Sequence, residues 1–129
     1  MNIDDPKIQK LLLGVRSGTD LETSAHYAGI SISQVYEWLE IGKRESEKET
    51  AGTALDPKNA FCFELWGKLT MSRAESIVRN VATIQTAASN GTWQAAAWWL
   101  ERAVPNQYGK KASEGKTQLE QTSSREVGQ

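Results

Sequence analysis

The stretch Leu21–Gly42, LETSAHYAGISISQVYEWLEIG, constrains the fold more than any other part of this chain. Two short helices that cross steeply need a small residue at their contact, a glycine in the turn, and apolar residues locking the second helix. All three occur in order: Ala25, then Gly29 four residues on, then Val35 and Trp38 three apart. Ala28 and Ile30 flank the glycine and are expected to point inward. Gly29 can adopt the left-handed conformation that ends a helix without steric cost. Ser31 or Ser33 can then cap the helix that follows. The pattern predicts a helix-turn-helix. Many such units bind DNA and some bind only protein, and a plain helical hairpin fits the same residues.

The flanking sequence extends this unit to a three-helix bundle. Asp4 or Asp5 caps a first helix, with Pro6 at a tolerated early position. Ile8, Leu11, Leu12 and Val15 give that helix one apolar face, and Arg16 sits near its end. Ser17-Gly18-Thr19 breaks it and Asp20 starts the next. Residues 1–45 therefore read as a helix-turn-helix DNA-binding domain. From Lys43 to Lys58 the polar run KRESEKETAGTALDPK has no apolar period. It predicts a frayed helix end and then a flexible linker, residues 46–58, that lets the N-terminal unit reorient. Glu45, Glu47 and Glu49 within it are expected to be solvated.

A second helical region spans 59–108. Phe61, Leu65, Trp66 and Leu69 share a face, and Ala74, Ile77, Val78, Val81, Ile84 and Ala88 continue at helical spacing. Asn90-Gly91 stops this helix, Thr92 caps another that is rich in Trp, and Pro105 ends it. The expectation is a long antiparallel helical hairpin that oligomerises, because its apolar residues spread beyond one stripe. Packing of the excess on the N-terminal bundle is the alternative. Trp is enriched at interfaces, which makes Trp66, Ile77, Val81, Trp93, Trp98 and Trp99 the interface candidates. The remainder, 109–129, has almost nothing to bury and is expected to be a flexible, disordered tail. The fold class is all-α.

Charge and composition narrow the function. Residues 1–56 carry six bases against ten carboxylates, although phosphate neutralisation supplies most non-specific DNA affinity. One copy of the N-terminal unit should therefore bind DNA weakly. A chain of 129 residues is one domain or two very small ones, and small domains commonly gain stability by association. Cys62 is the single cysteine, which excludes an internal disulfide and suits a reducing cytoplasm. No signal peptide and no membrane-spanning apolar run is expected. No phosphate-binding glycine loop, no metal-ligand cluster and no nucleophile–His pair at diagnostic spacing occurs, so neither an enzyme nor a cofactor or metal site is expected. His26 stands alone as a surface or packing residue.

ETSAHYAGISISQVYEWLEIGKRE and the later block FELWGKLTMSRAESIVRNVATIQTAASNGTWQAAAWWLERAVPNQYGK together resemble the small subunit of phage terminases, the DNA-packaging machinery of tailed bacteriophages. The long helix with an Arg-Ala-Glu centre, the Asn-Gly turn, and a Trp–Leu-Glu-Arg helix ending in Pro and Tyr-Gly carry most of the likeness. The resemblance implies a homo-oligomeric ring in the host cell cytoplasm, with hairpins at its core and helix-turn-helix units at its edge. It implies two partners: double-stranded viral DNA at the packaging start site, and the large subunit that holds the ATPase and nuclease. A dimeric helix-turn-helix transcription regulator is the alternative reading, and a protein-only adaptor is a third.

The N-terminal, outward positions of a second helix face base edges in this motif. Here these are Ser31, Ser33, Gln34 and Glu37, with Tyr36 beside them. Gln34 suits adenine and Glu37 suits cytosine N4. Lys43 and Arg44 are the first candidates for phosphate contact, and Lys7, Lys10 and Arg16 the second. The reading helix departs from a basic pattern, with Glu37 and Glu40 preceding Lys43.

Overall fold

A computed structural model describes residues 1–109; the expected tail from Lys110 onward lies outside them. The described residues are all-helical, with no strand among them. The elements are α1 (Pro6–Arg16), α2 (Leu21–Ala28), α3 (Ile32–Thr50), a single 3-10 turn (Pro57–Asn59), α4 (Ala60–Ser89), α5 (Trp93–Ala103) and α6 (Pro105–Tyr108). The chain forms two compact units that divide between Arg79 and Asn80, so α4 contributes residues 60–79 to the first and 80–89 to the second. No described helix is long and apolar enough to cross a membrane.

The core of the first unit gathers Ile8, Leu11, Leu12 and Val15 of α1, Ala25 and Ala28 of α2, Val35 of α3, and Leu65 and Leu69 of α4. The apolar spacing on α1 places all four of its residues on one buried stripe. Asp5 starts α1 by accepting from Lys7 N at 2.9 Å. Asp20 starts α2 by accepting from Thr23 N at 3.0 Å. Hydrogen bonds from Thr23, backbone first and then hydroxyl, hold the Asp20 carboxyl below the usual range. Gly29, at φ 73° and ψ 31°, ends α2. Ile30 N donates to the Ala25 carbonyl at 3.0 Å and Gly29 N to that of His26 at 3.1 Å, the paired bonds that satisfy a helix C-terminus when a left-handed residue follows it. Ser31 occupies the N-cap of α3 without a side-chain capping bond. Ile30 and Trp38 are half-buried against the core, as the turn pattern requires.

Residues 46–58 differ from the expected flexible linker. Helix α3 continues to Thr50, with Arg44 paired to Glu40 and Lys48 to Glu45, each at 2.8 Å. The reason lies in Glu45, which is 2% exposed rather than solvated. Its carboxylate accepts from Lys48 Nζ at 2.8 Å, Asp56 N at 3.0 Å and Asn59 Nδ2 at 3.0 Å. Those donors hold its pKa down to about 2. One buried carboxylate thus ties the returning segment back onto α3.

The first unit also runs past residue 45, where a domain boundary is expected from sequence. The expected break after residue 45 is bridged, because the start of α4 packs on α3. Gly42 is buried against α4: a Cβ there would strike the Cys62 carbonyl oxygen and stand 2.5 Å from Trp66 Cβ. Trp38 meets Phe61 edge to face at 5.2 Å between ring centroids. The N-terminal bundle and the first part of α4 are one unit, not two joined by a free linker.

In the second unit, α4 ends as expected at Asn90-Gly91. Thr92 N donates to the Ala87 carbonyl at 3.0 Å and Gly91 N to that of Ala88 at 3.2 Å. Thr92 then precedes α5, again without a side-chain capping bond. Pro105 terminates α5 and opens the short α6, a restart that the sequence pattern did not anticipate. Arg102 lies over the Trp98 ring, 4.0 Å from its centroid. No residue of α5 is buried.

Candidate nucleic-acid interface

Helix α3 is held by Val35, Trp38 and Gly42 on its inner side, and this fixes what its outer side presents. Ser33, Glu37, Glu40, Arg44 and Glu47 recur three or four residues apart and are all exposed, so they form one outward stripe. Tyr36 and Lys43 are exposed at its edge, and Ser31 is exposed at the helix start. Gln34 falls off the stripe and is half-buried. The expected base readers and phosphate contacts are not adjacent: Ser33 and Lys43 lie about 15 Å apart along the helix axis.

Electrostatically the stripe is acidic. Glu37, Glu40 and Glu47 line it, and Arg44 is engaged by Glu40 at 2.8 Å with both side chains exposed. Such an exposed pair adds little stability, but the Glu40 carboxylate competes with a phosphate for the Arg44 guanidinium. Lys43 has no ion pair among the described residues.

The other predicted cations belong to α1. Lys7 and Lys10 are exposed one turn apart, and Lys10 Nζ lies 5.6 Å from the Tyr27 ring centroid. Tyr27 is exposed on the last turn of α2, between buried Ala25 and Ala28, so the contact brings a cation to the end of α2 that leads into the turn. Sequence reasoning passed over Tyr27; its signal was an aromatic out of phase with the small-residue stripe. Arg16 turns toward α4 instead. Its Nε lies 4.0 Å from Glu75, and its carbonyl accepts from the Arg79 guanidinium.

Two clefts adjoin this unit. A largely apolar one of about 460 Å³ is lined by Val15, Leu21, Leu39, Trp66, Leu69 and Ile77, with Asp20 and Arg73 also in its wall. A polar groove of about 350 Å³ lies between α1 and α4 and includes Gln9, Arg16, Lys68, Ser72 and Glu75. Among the described residues no group of three His, Cys, Asp or Glu side chains is placed to hold a metal. His26 is exposed, and burial pushes the Cys62 thiol up, away from reactivity.

The interface candidates separate into two sets. Ile77, Trp93 and Trp98 are 53%, 69% and 47% exposed, while Val81 and Trp99 are half-buried. Val78, read from sequence as part of the apolar face but not as an interface candidate, is 68% exposed. Trp66 is half-buried against Gly42 of its own chain, because that glycine opens the space the indole stem fills. No protein-family model, no curated protein and no solved structure matches this chain.

Proposed function

We propose that this chain is a phage terminase small subunit. In this reading it assembles as a ring, binds viral DNA at the packaging start site, and recruits and regulates the large subunit that carries the ATPase and nuclease. The observation that carries the reading is the set of large apolar side chains, Ile77, Val78, Trp93 and Trp98, that a single chain leaves in water. Burying such a side chain is worth about 1.5–3 kcal/mol, so several of them together favour association. In the assembled state α4 and α5, joined at Asn90–Thr92, act as an antiparallel hairpin that forms the oligomeric core. The α2–Gly29–α3 unit acts as the helix-turn-helix. Ring assembly also accommodates weak individual DNA contacts, because effective concentration multiplies them.

The subunit performs no chemistry of its own in this account. A protein-only adaptor is the second reading, favoured by Glu37, Glu40 and Glu47 on the outward stripe of α3. Retention of tiled fragments of the genome encoding the chain separates the two. The packaging reading expects the intact protein to retain one genomic region above all others at physiological salt. Equal failure to retain every fragment, by protein that is fully assembled, would leave the adaptor.

A further inference from the structure

The surface of the first unit is divided by charge. The outward stripe of α3 carries three carboxylates, Glu37, Glu40 and Glu47, and its Arg44 is held by one of them. Helix α1 carries no carboxylate within its length. It presents Lys7 and Lys10 on one flank, and on the other Arg16 borders the polar groove to which α4 adds Lys68. Lys7 and Lys68 have no ion pair among the described residues. Acids stand near these cations as well: Asp5 is occupied in capping Lys7 N, Asp4 precedes the helix, Glu75 stands 4.0 Å from a half-exposed Arg16, and Glu64 is exposed on α4 one turn before Lys68.

We infer that the phosphodiester backbone of duplex DNA lies along α1 and the α1–α4 groove, held by Lys7, Lys10, Arg16 and Lys68, rather than along the outward stripe of α3. The inference rests on the DNA-binding reading above and assigns it a different surface. Charge complementarity is the argument. Each cation that neutralises a phosphate releases condensed counterions, and that release drives sequence-independent affinity. A backbone lying on α3 would instead meet three carboxylates and one engaged arginine. Lys7 and Arg16 stand nine residues apart on opposite edges of the exposed face of α1, so the DNA backbone crosses the outward ridge of the helix near Lys10 to reach the groove. Gln9 and Ser72 also line the groove, but the Gln9 amide donates to the Ile3 carbonyl at 2.7 Å and Ser72 is buried, so the cations carry the contact. Tyr27, exposed beside Lys10, offers a hydroxyl at the same edge. The neutral start of α3, Ser31 to Tyr36, remains the part of that helix fit to approach base edges.

The test measures binding of the full chain to a mixed-sequence DNA duplex by fluorescence anisotropy across a chloride series. Wild type is compared with Lys7→Gln/Lys10→Gln/Lys68→Gln and with Ser33→Ala/Tyr36→Ala, after circular dichroism and native mass establish unchanged fold and assembly. The inference expects the triple variant to lose at least about tenfold in affinity and at least about two units of log–log salt slope, equally for every sequence. If the triple variant assembles abnormally, Lys68→Gln alone reads the groove, with an expected slope loss of about 0.9. A neutralised variant that keeps the wild-type slope, while Ser33→Ala/Tyr36→Ala abolishes binding, overturns the inference and leaves DNA binding standing. Wild type that binds no duplex at any chloride concentration removes the DNA-binding reading itself.

Discussion

Two glycines and one glutamate illustrate how single residues hold the first unit, each for a different reason. Gly29 needs its backbone freedom: at φ 73° with open space around it, Gly29→Ala costs only the left-handed strain, about 1–2 kcal/mol. Gly42 needs its missing side chain, since a Cβ would collide with α4 at Cys62 and Trp66. Gly42→Ala is therefore an overpacking change of about 1–3 kcal/mol that separates α3 from α4. Urea denaturation measures both, and only Gly42→Ala should also weaken the near-ultraviolet signal of the Trp38–Phe61 contact. Glu45 acts through charge. Its folded pKa of about 2 lies below the ordinary 4.5, so its contribution is fully present above pH 4.5 and is lost as pH falls toward 2. Glu45→Gln should lower the urea midpoint near neutral pH, and it should flatten the loss of stability between pH 4.5 and 2. A variant whose midpoint falls with acid as steeply as wild type would refute that role. None of this was visible in the run KRESEKET, where Glu45 reads like its solvated neighbours, because burial is set by Asp56 and Asn59 returning from beyond the turn.

At the scale of elements, the legible helices were those with a strong apolar period and a chemical stop. The four-residue apolar face of α1, the Asp5 and Asp20 starts, the Gly29 turn and the Pro105 stop all appear where spacing and capping chemistry place them. The C-terminal end of α3 was not legible, since its last turns are polar and are held by Glu40–Arg44, Glu45–Lys48 and one buried carboxylate. The division of α4 was equally hidden. Its period runs unbroken, yet residues 60–79 belong to the first unit and 80–89 to the second. Of the candidate site, the exposure of Ser33, Glu37 and Arg44 on α3 was readable from the helical phase, but Gln34, expected to face outward, is half-buried. Lys68 was not readable, because an isolated exposed residue leaves no pattern, and Tyr27 showed only as an aromatic out of phase with its small neighbours. Helix α5 offers the clearest element-scale test. None of its residues is buried within the chain and Trp93 is 69% exposed. If α5 serves assembly, Trp93→Ser should lower the subunit number while leaving helicity and the melting temperature of the dissociated chain unchanged. A loss of helicity in the isolated subunit would assign Trp93 to folding instead.

For the whole molecule, the proposed function has the exposed apolar surface of Ile77, Val78, Trp93 and Trp98 met by further copies of the same chain. Under the proposed function, the acidic balance of residues 1–56 would make a single DNA-binding unit weak, and multiplicity would reconcile weak units with that role. In that proposal a dimer would only double a weak contact, whereas a larger closed oligomer would multiply it. Native mass spectrometry of the purified full chain tests this most directly. A single closed oligomer larger than a tetramer is expected; a dimer or monomer at micromolar concentration would rule out the packaging ring.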